Sequence, residues 1–196
     1  MKNPLKSLYD WVLSWADKPG GKTALYSISF AESSFFPIPP DPLLIAFCLS
    51  RHKESLKFAF FTTVFSVIGG IFGYLIGVFL FETVGKAILN FYNYWDAYNK
   101  VKELFGIYGF AAVMIAGFTP IPYKVFTIAS GSLYFNLPLF ILASILSRGA
   151  RFFLVATIML FFGEKAKIFI DKYFDWLTLA FVLLLIGGFL VIKYLL

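Results

Sequence analysis

A single cysteine, Cys48, and a single histidine, His52, deprive this chain of several kinds of chemistry. One cysteine excludes an internal disulfide and any cysteine metal cluster. His52 sits among Arg51, Lys53 and Glu54 and reads as a solvated loop residue. No metal-ligand cluster and no serine beside a suitable base is apparent, so no metal, cofactor or catalytic residue is expected. Charge is also scarce, at 14% of residues, where ordinary soluble domains carry about 25%. Apolar residues make up 60% of the chain and the mean hydropathy is +0.81. These values describe an integral membrane protein, and 196 residues suffice for one membrane domain. The net charge of +6 therefore points to basic loops and anionic headgroups rather than to nucleic acid. The start, with Lys2, Asn3, Pro4 and Lys6 and no early apolar run, predicts no cleavable signal peptide.

What the chain does have is one phrase written twice. Phe35 to Pro39 reads F-F-P-I-P, Phe118 to Pro122 reads F-T-P-I-P, and each copy is followed at equal spacing by Ile-Ala (Ile45-Ala46 and Ile128-Ala129). Proline lacks the amide donor and disfavours the helical region in the residue before it, so Pro37, Pro39, Pro40, Pro120 and Pro122 must break any helix entering them. The flanks are apolar on both sides, which places both breaks at membrane depth. Free backbone groups are tolerated there only when buried in protein or lining a wet cavity. Two interrupted segments in corresponding positions of two halves are a pointer to a transport site.

In chain order, residues 4–16 predict an amphipathic interfacial helix, closed by Pro19-Gly20-Gly21. Residues 23–50 carry two arms, each shorter than the roughly 20 residues a crossing needs, and predict a re-entrant hairpin. Residues 58–81 predict a spanning helix in which Gly69, Gly73 and Gly77 share one face for close helix packing. That face can pack within the chain or against a second copy, so a homo-oligomer stays open. Residues 82–103 mix charges with aromatics and predict an interfacial loop and helix, and residues 104–134 a second re-entrant hairpin, with Gly131 opening a turn. Asn136 is expected to cap a spanning helix at 137–163 that carries Pro138 in its first turn. A last span is expected at 176–192. With residues 23–50 returning to their own side, ten basic residues share the N-terminal face against four on the other. The positive-inside rule makes that face cytoplasmic. The two hairpins then enter from opposite faces, so the expected fold is all-α, an inverted repeat of two proline-broken hairpins with about three spanning helices.

Five ionisable residues fall at membrane depth: Glu32 and Asp41 in the first half, Lys124, Arg148 and Arg151 in the second. Each costs roughly 2.5–3.5 kcal/mol to insert and needs a partner or a wet site. Asp41 and Lys124 each stand two residues beyond the second proline of their motif, so meeting hairpin tips would bring them together. Arg148 and Arg151, three apart, project from one helix face, and paired guanidinium forks suit a phosphate. One reading has the acids simply neutralising the bases to hold the fold. The other has Lys124, Arg148 and Arg151 binding a headgroup phosphate while Glu32 and Asp41 serve as proton or counter-charge sites.

The segment from Glu32 to Asp41, the glycine pattern from Gly69 to Gly77, the F-T-P-I-P-Y-K from Phe118 with Gly131 downstream, and the S-R-G-A-R from Ser147 resemble the DedA family. This family is also called the SNARE-associated Golgi or VTT-domain family, and the chain looks closest to its short YqaA-like branch. The resemblance covers roughly residues 20–165. It implies a multi-pass lipid transporter of the bacterial inner membrane, handling undecaprenyl phosphate or phospholipid. It also implies that two acids on the first hairpin and two arginines around the second are functional. Glu32 and Asp41 match the acids, and Lys124 stands where an arginine would. Gly117 replaces a second arginine and Gly70 an acid, leaving Arg148 and Arg151 to supply the missing charge. The expected function is a flippase of an anionic lipid, with a membrane lipid as partner, protons or cations as coupling ions, and no enzymatic step. A carrier of a small soluble solute and a non-transport assembly factor stand as alternatives.

Overall fold

The structure, a computed structural model, describes Lys18, residues 20–163 and Lys165. The helices expected at 4–16 and 176–192 lie outside those residues. Helix α1 (Gly21–Ser34) begins after Gly20, whose φ of 93° is a left-handed value that glycine adopts freely. It stops ahead of Pro37, where the Phe35 and Phe36 amides both donate to the Ala31 carbonyl. Helix α2 (Asp41–Ser50) restarts after Pro40 and carries Pro42 at its beginning, where a missing N–H costs nothing. A 3-10 turn at His52–Glu54 leads into α3 (Ser55–Leu80). This helix continues through a π-turn (Phe81–Gly85) into α4 (Lys86–Tyr92). Asn93, in the left-handed region at φ 55°, ends that rod. Helix α5 (Trp95–Phe118) runs to the second break, after which come α6 (Tyr123–Ser132) and α7 (Leu137–Gly163).

The protein is an all-helical membrane protein, with no strand among its described residues. His52–Tyr92, Trp95–Phe118 and Leu137–Gly163 are long and apolar enough to cross a bilayer. The first and last contain the spans expected at 58–81 and 137–163. The middle one differs from the sequence reading, which ends an interfacial segment at 103 and begins a hairpin at 104. Asp96, Lys100, Lys102 and Glu103 lie exposed on the first turns of α5, so their charges never interrupt the helix. Asn136 caps α7 as expected, its Oδ1 accepting the Leu139 amide at 3.0 Å. Gly131 instead stays helical and lets α6 approach α3. A Cβ there would strike the Tyr74 carbonyl, and the turn is made by Tyr134 at φ 54°.

Helix α3 is the axis of the fold, and its glycine face is used within the chain. A Cβ on Gly69 would collide with the Phe30 carbonyl of α1, and one on Gly77 with the Ile128 carbonyl of α6. Gly73 lies between them, facing Thr127 and the Ser33 carbonyl. Contacts advance together along the helices, with Ser29 on Thr62 and Ser33 on Ser66 for α1, then Thr127 on Gly73 and Ser132 on Gly77 for α6. Both short helices therefore run parallel to α3, one after the other. At 1.5 Å per residue they measure about 21 and 15 Å, which end to end nearly match the about 39 Å of α3. Two apolar clusters flank their meeting point. One joins α1 and α2 to the second half of α7 through Leu44, Phe47, Phe152 and Ala156. The other joins α5 and α6 to its first half through Val113, Tyr123, Phe140 and Ala143.

Candidate functional site

All five predicted charges gather between these clusters, where the two breaks face each other. Arg148, only 2% exposed, is the largest fully buried side chain. Its Nη2 donates to Glu32 Oε2 at 2.5 Å and its Nε to Ser66 Oγ at 2.7 Å. The guanidinium lies over the rings of Tyr123 and Phe152, with centroids at 5.0 and 4.6 Å. Ser66 Oγ also shares a 2.7 Å hydrogen bond with Ser33 Oγ, which donates to the Ser29 carbonyl at 3.0 Å. The Tyr123 hydroxyl donates to Ser144 Oγ at 2.5 Å. A buried ion pair is tolerable only when hydrogen bonds satisfy its remaining donors and acceptors, and the serines of α1 and α3 supply them here.

One helical turn along α7, Arg151 makes a different kind of bond. Its Nε and Nη2 reach the two oxygens of Asp41, both at 2.9 Å, in the parallel fork that only arginine offers a carboxylate. Its Nη1 donates to the Thr119 carbonyl at 2.8 Å. Arg151 therefore ties the first residue of α2 to the end of α5. Both partners keep 17% of their side-chain surface. Lys124, at the start of α6, mirrors this on the other side, donating from Nζ to the Phe36 carbonyl in the first break at 3.2 Å. Thr127 Oγ1 adds a 3.0 Å bond to the Ser33 carbonyl. Asp41 and Lys124, expected as possible neighbours, instead each take a partner from the opposite half.

The three bases are thus separated in role. Arg148 is buried, whereas Arg151, with all three of its nitrogens hydrogen-bonded, keeps a partly exposed edge. Among the described residues, Lys124 is the one of these three bases without a carboxylate partner. The proline breaks at Pro37, Pro39, Pro40, Pro120 and Pro122 provide the carbonyls these bases use. No three of His, Cys, Asp and Glu gather into a metal-ligand set among the described residues. Sequence reading missed Ser33, Ser66, Thr127, Tyr123 and Phe152. A signal existed, because Thr62, Ser66, Gly69, Gly73 and Gly77 form one small-residue stripe at helical spacing, and its member Ser66 meets the buried Arg148.

No family model matches the chain, and no solved structure matches it. An uncharacterized protein of Haemophilus influenzae is 36% identical over 187 residues, spanning 95% of this chain and 97% of that protein. The uncharacterized protein HI0703 homolog of Histophilus somni is 34% identical over the same extent of both chains.

Proposed function

This chain belongs to one family with the Haemophilus and Histophilus proteins, and we propose that it carries an anionic, phosphate-bearing lipid across the bacterial inner membrane. The observation behind this reading is the charge excess at the junction of the two breaks. Two carboxylates and three bases meet there, and the surplus cation, Lys124, rests on a backbone carbonyl. A purely structural network has no need of that extra charge beside two interrupted helices. The segments around the breaks act as re-entrant hairpins related as an inverted repeat, and the N-terminal face is cytoplasmic.

In this mechanism a headgroup phosphate takes the place of the Asp41 carboxylate on the Arg151 fork. One anion exchanges for another, so the guanidinium is never left bare, and Lys124 balances the second phosphate charge. The released Asp41 is free to take up a proton, which couples transport to a proton gradient. Arg148 and Glu32 stay paired and hold α7 to α1 through the exchange. The DedA-like reading fits this division. Where that resemblance expects an arginine at position 117, the Arg148 stem runs past Gly117, its Cδ 3.6 Å from where a Cβ would stand.

The test is a proteoliposome assay with labelled polyprenyl phosphate and ordinary phospholipids, comparing wild type with Arg151→Ala, Lys124→Ala and Asp41→Asn. Protein-dependent movement of the anionic lipid, lost in variants that remain folded, is the expected result. Movement of no lipid under any imposed pH gradient would overturn it. A rate that ignores the gradient would remove the proton step alone.

A further inference from the structure

We propose that a second site, a cleft between α5, the α6–α7 turn and α7, holds an anionic membrane lipid with its phosphate on Lys102. The cleft has a volume of about 180 Å³ and lies away from the charged junction. Its mouth carries Lys102, whose Nζ sits over the Tyr134 ring at 5.2 Å and which has no carboxylate partner among the described residues. Asn136 stands beside it with its oxygen engaged by the Leu139 amide, leaving the NH2 group as a donor. The walls are apolar, from Phe105 and Leu139. Gly106 also lines the cleft, and a Cβ there would meet nothing within 4 Å.

The surroundings favour a lipid here over a free anion. The same end of the molecule carries Trp95 and Tyr98, packed edge to face at 5.9 Å, and such residues settle at headgroup level. Tyr134 stands at φ 54° as the left-handed residue that closes α6, its amide donating to the Gly131 carbonyl and that of Phe135 to the Ser130 carbonyl. Its ring, held by a hydrogen bond to Glu82 and an edge contact with Phe81, lies under the Lys102 ammonium. A cation at the rim of an apolar slot matches a phosphate joined to a glycerol and acyl chain. Inorganic phosphate would leave the slot empty.

Binding can be read without any transport assay, so this site stands or falls separately from the proposed function. The purified full chain is unfolded by heat in detergent with phosphatidylglycerol, phosphatidylcholine or inorganic phosphate, following exposure of the buried Cys48 thiol. Phosphatidylglycerol is expected to raise the midpoint more than phosphatidylcholine does, and inorganic phosphate to have no effect. Lys102→Ala should weaken the phosphatidylglycerol effect about tenfold in concentration, the worth of one charge-assisted contact. Gly106→Leu should weaken it in the same way, while keeping the fold, because leucine favours a helix where space is open. Equal protection by both lipids, unchanged in both variants, would overturn the proposal. So would protection by inorganic phosphate equal to that by phosphatidylglycerol.

Discussion

Removing the charge of Glu32 isolates the energetic role of the buried pair. In Glu32→Gln the Arg148 guanidinium keeps Ser66 and its two rings but loses its counter-charge at a position 2% exposed. Deleting one member of a buried pair leaves an uncompensated charge and costs about 3–5 kcal/mol. For a chain of this size that corresponds to a fall of roughly 6–20 °C in unfolding midpoint. The protein contains its own reporter, since Cys48 is its only cysteine and is fully buried in the cluster around Phe47 and Phe58. A thiol-reactive dye therefore stays dark until unfolding. Arg148→Met should cost a similar amount, because Glu32 is then the stranded charge. The double variant Glu32→Gln/Arg148→Met should lose less than the two single losses added, with a coupling of about 3 kcal/mol, the upper range for residues in contact. Single-variant losses below about 1 kcal/mol, or a double variant as unstable as the two losses added, would refute the reasoning.

Two further outcomes follow from the packing and the caps. Gly77→Ala and Gly131→Ala drive a Cβ into backbone on the facing helix and should each cost about 1–3 kcal/mol, whereas Gly106→Ala, facing open space, should gain up to about 1 kcal/mol. The same thermal assay ranks all three, and a neutral Gly77→Ala would contradict the close approach of α3 and α6. Asn136→Ala removes the cap on α7 and should cost about 0.5–2 kcal/mol, while Asn136→Asp, which preserves the acceptor, should restore most of it.

The elements legible in the sequence were those with strong local causes. The P-I-P motifs mark both breaks, the uncharged run marks α3, and Asn136-Leu137-Pro138 marks the start of α7. The five site charges were legible because an ionisable residue in an apolar segment is costly without a purpose. Partnership was not legible. The matched motif positions suggest Asp41 with Lys124, but the fold brings Arg151 to Asp41, because α7 passes the start of α2 and one turn separates Arg151 from Arg148. Sequence spacing along a helix gives which residues share a face, not which distant element that face meets. Helix α5 was misjudged for a related reason. Exposed charges on a helix end look like a loop until the helix is seen to run unbroken from Trp95 to Phe118.

The division of charge between the halves has a consequence for assembly. Glu32 and Asp41 belong to the first half, and Lys124, Arg148 and Arg151 to the second. Neither half can satisfy its own charges, and each unpaired one costs roughly 2.5–3.5 kcal/mol at membrane depth. The cross-half bonds, Arg148 to Glu32, Arg151 to Asp41 and Lys124 to the Phe36 carbonyl, are therefore available only once α7 meets α1 and α2 and α6 meets the first break. Electrostatics thus favours the fully docked arrangement over any partly docked one. The pairs are also unequal: Arg148–Glu32 is sealed by rings and serines, while Arg151–Asp41 keeps an open edge. A perturbation that opens the molecule should then break the Arg151 fork first, leaving the Arg148 pair as the hinge about which the two breaks separate.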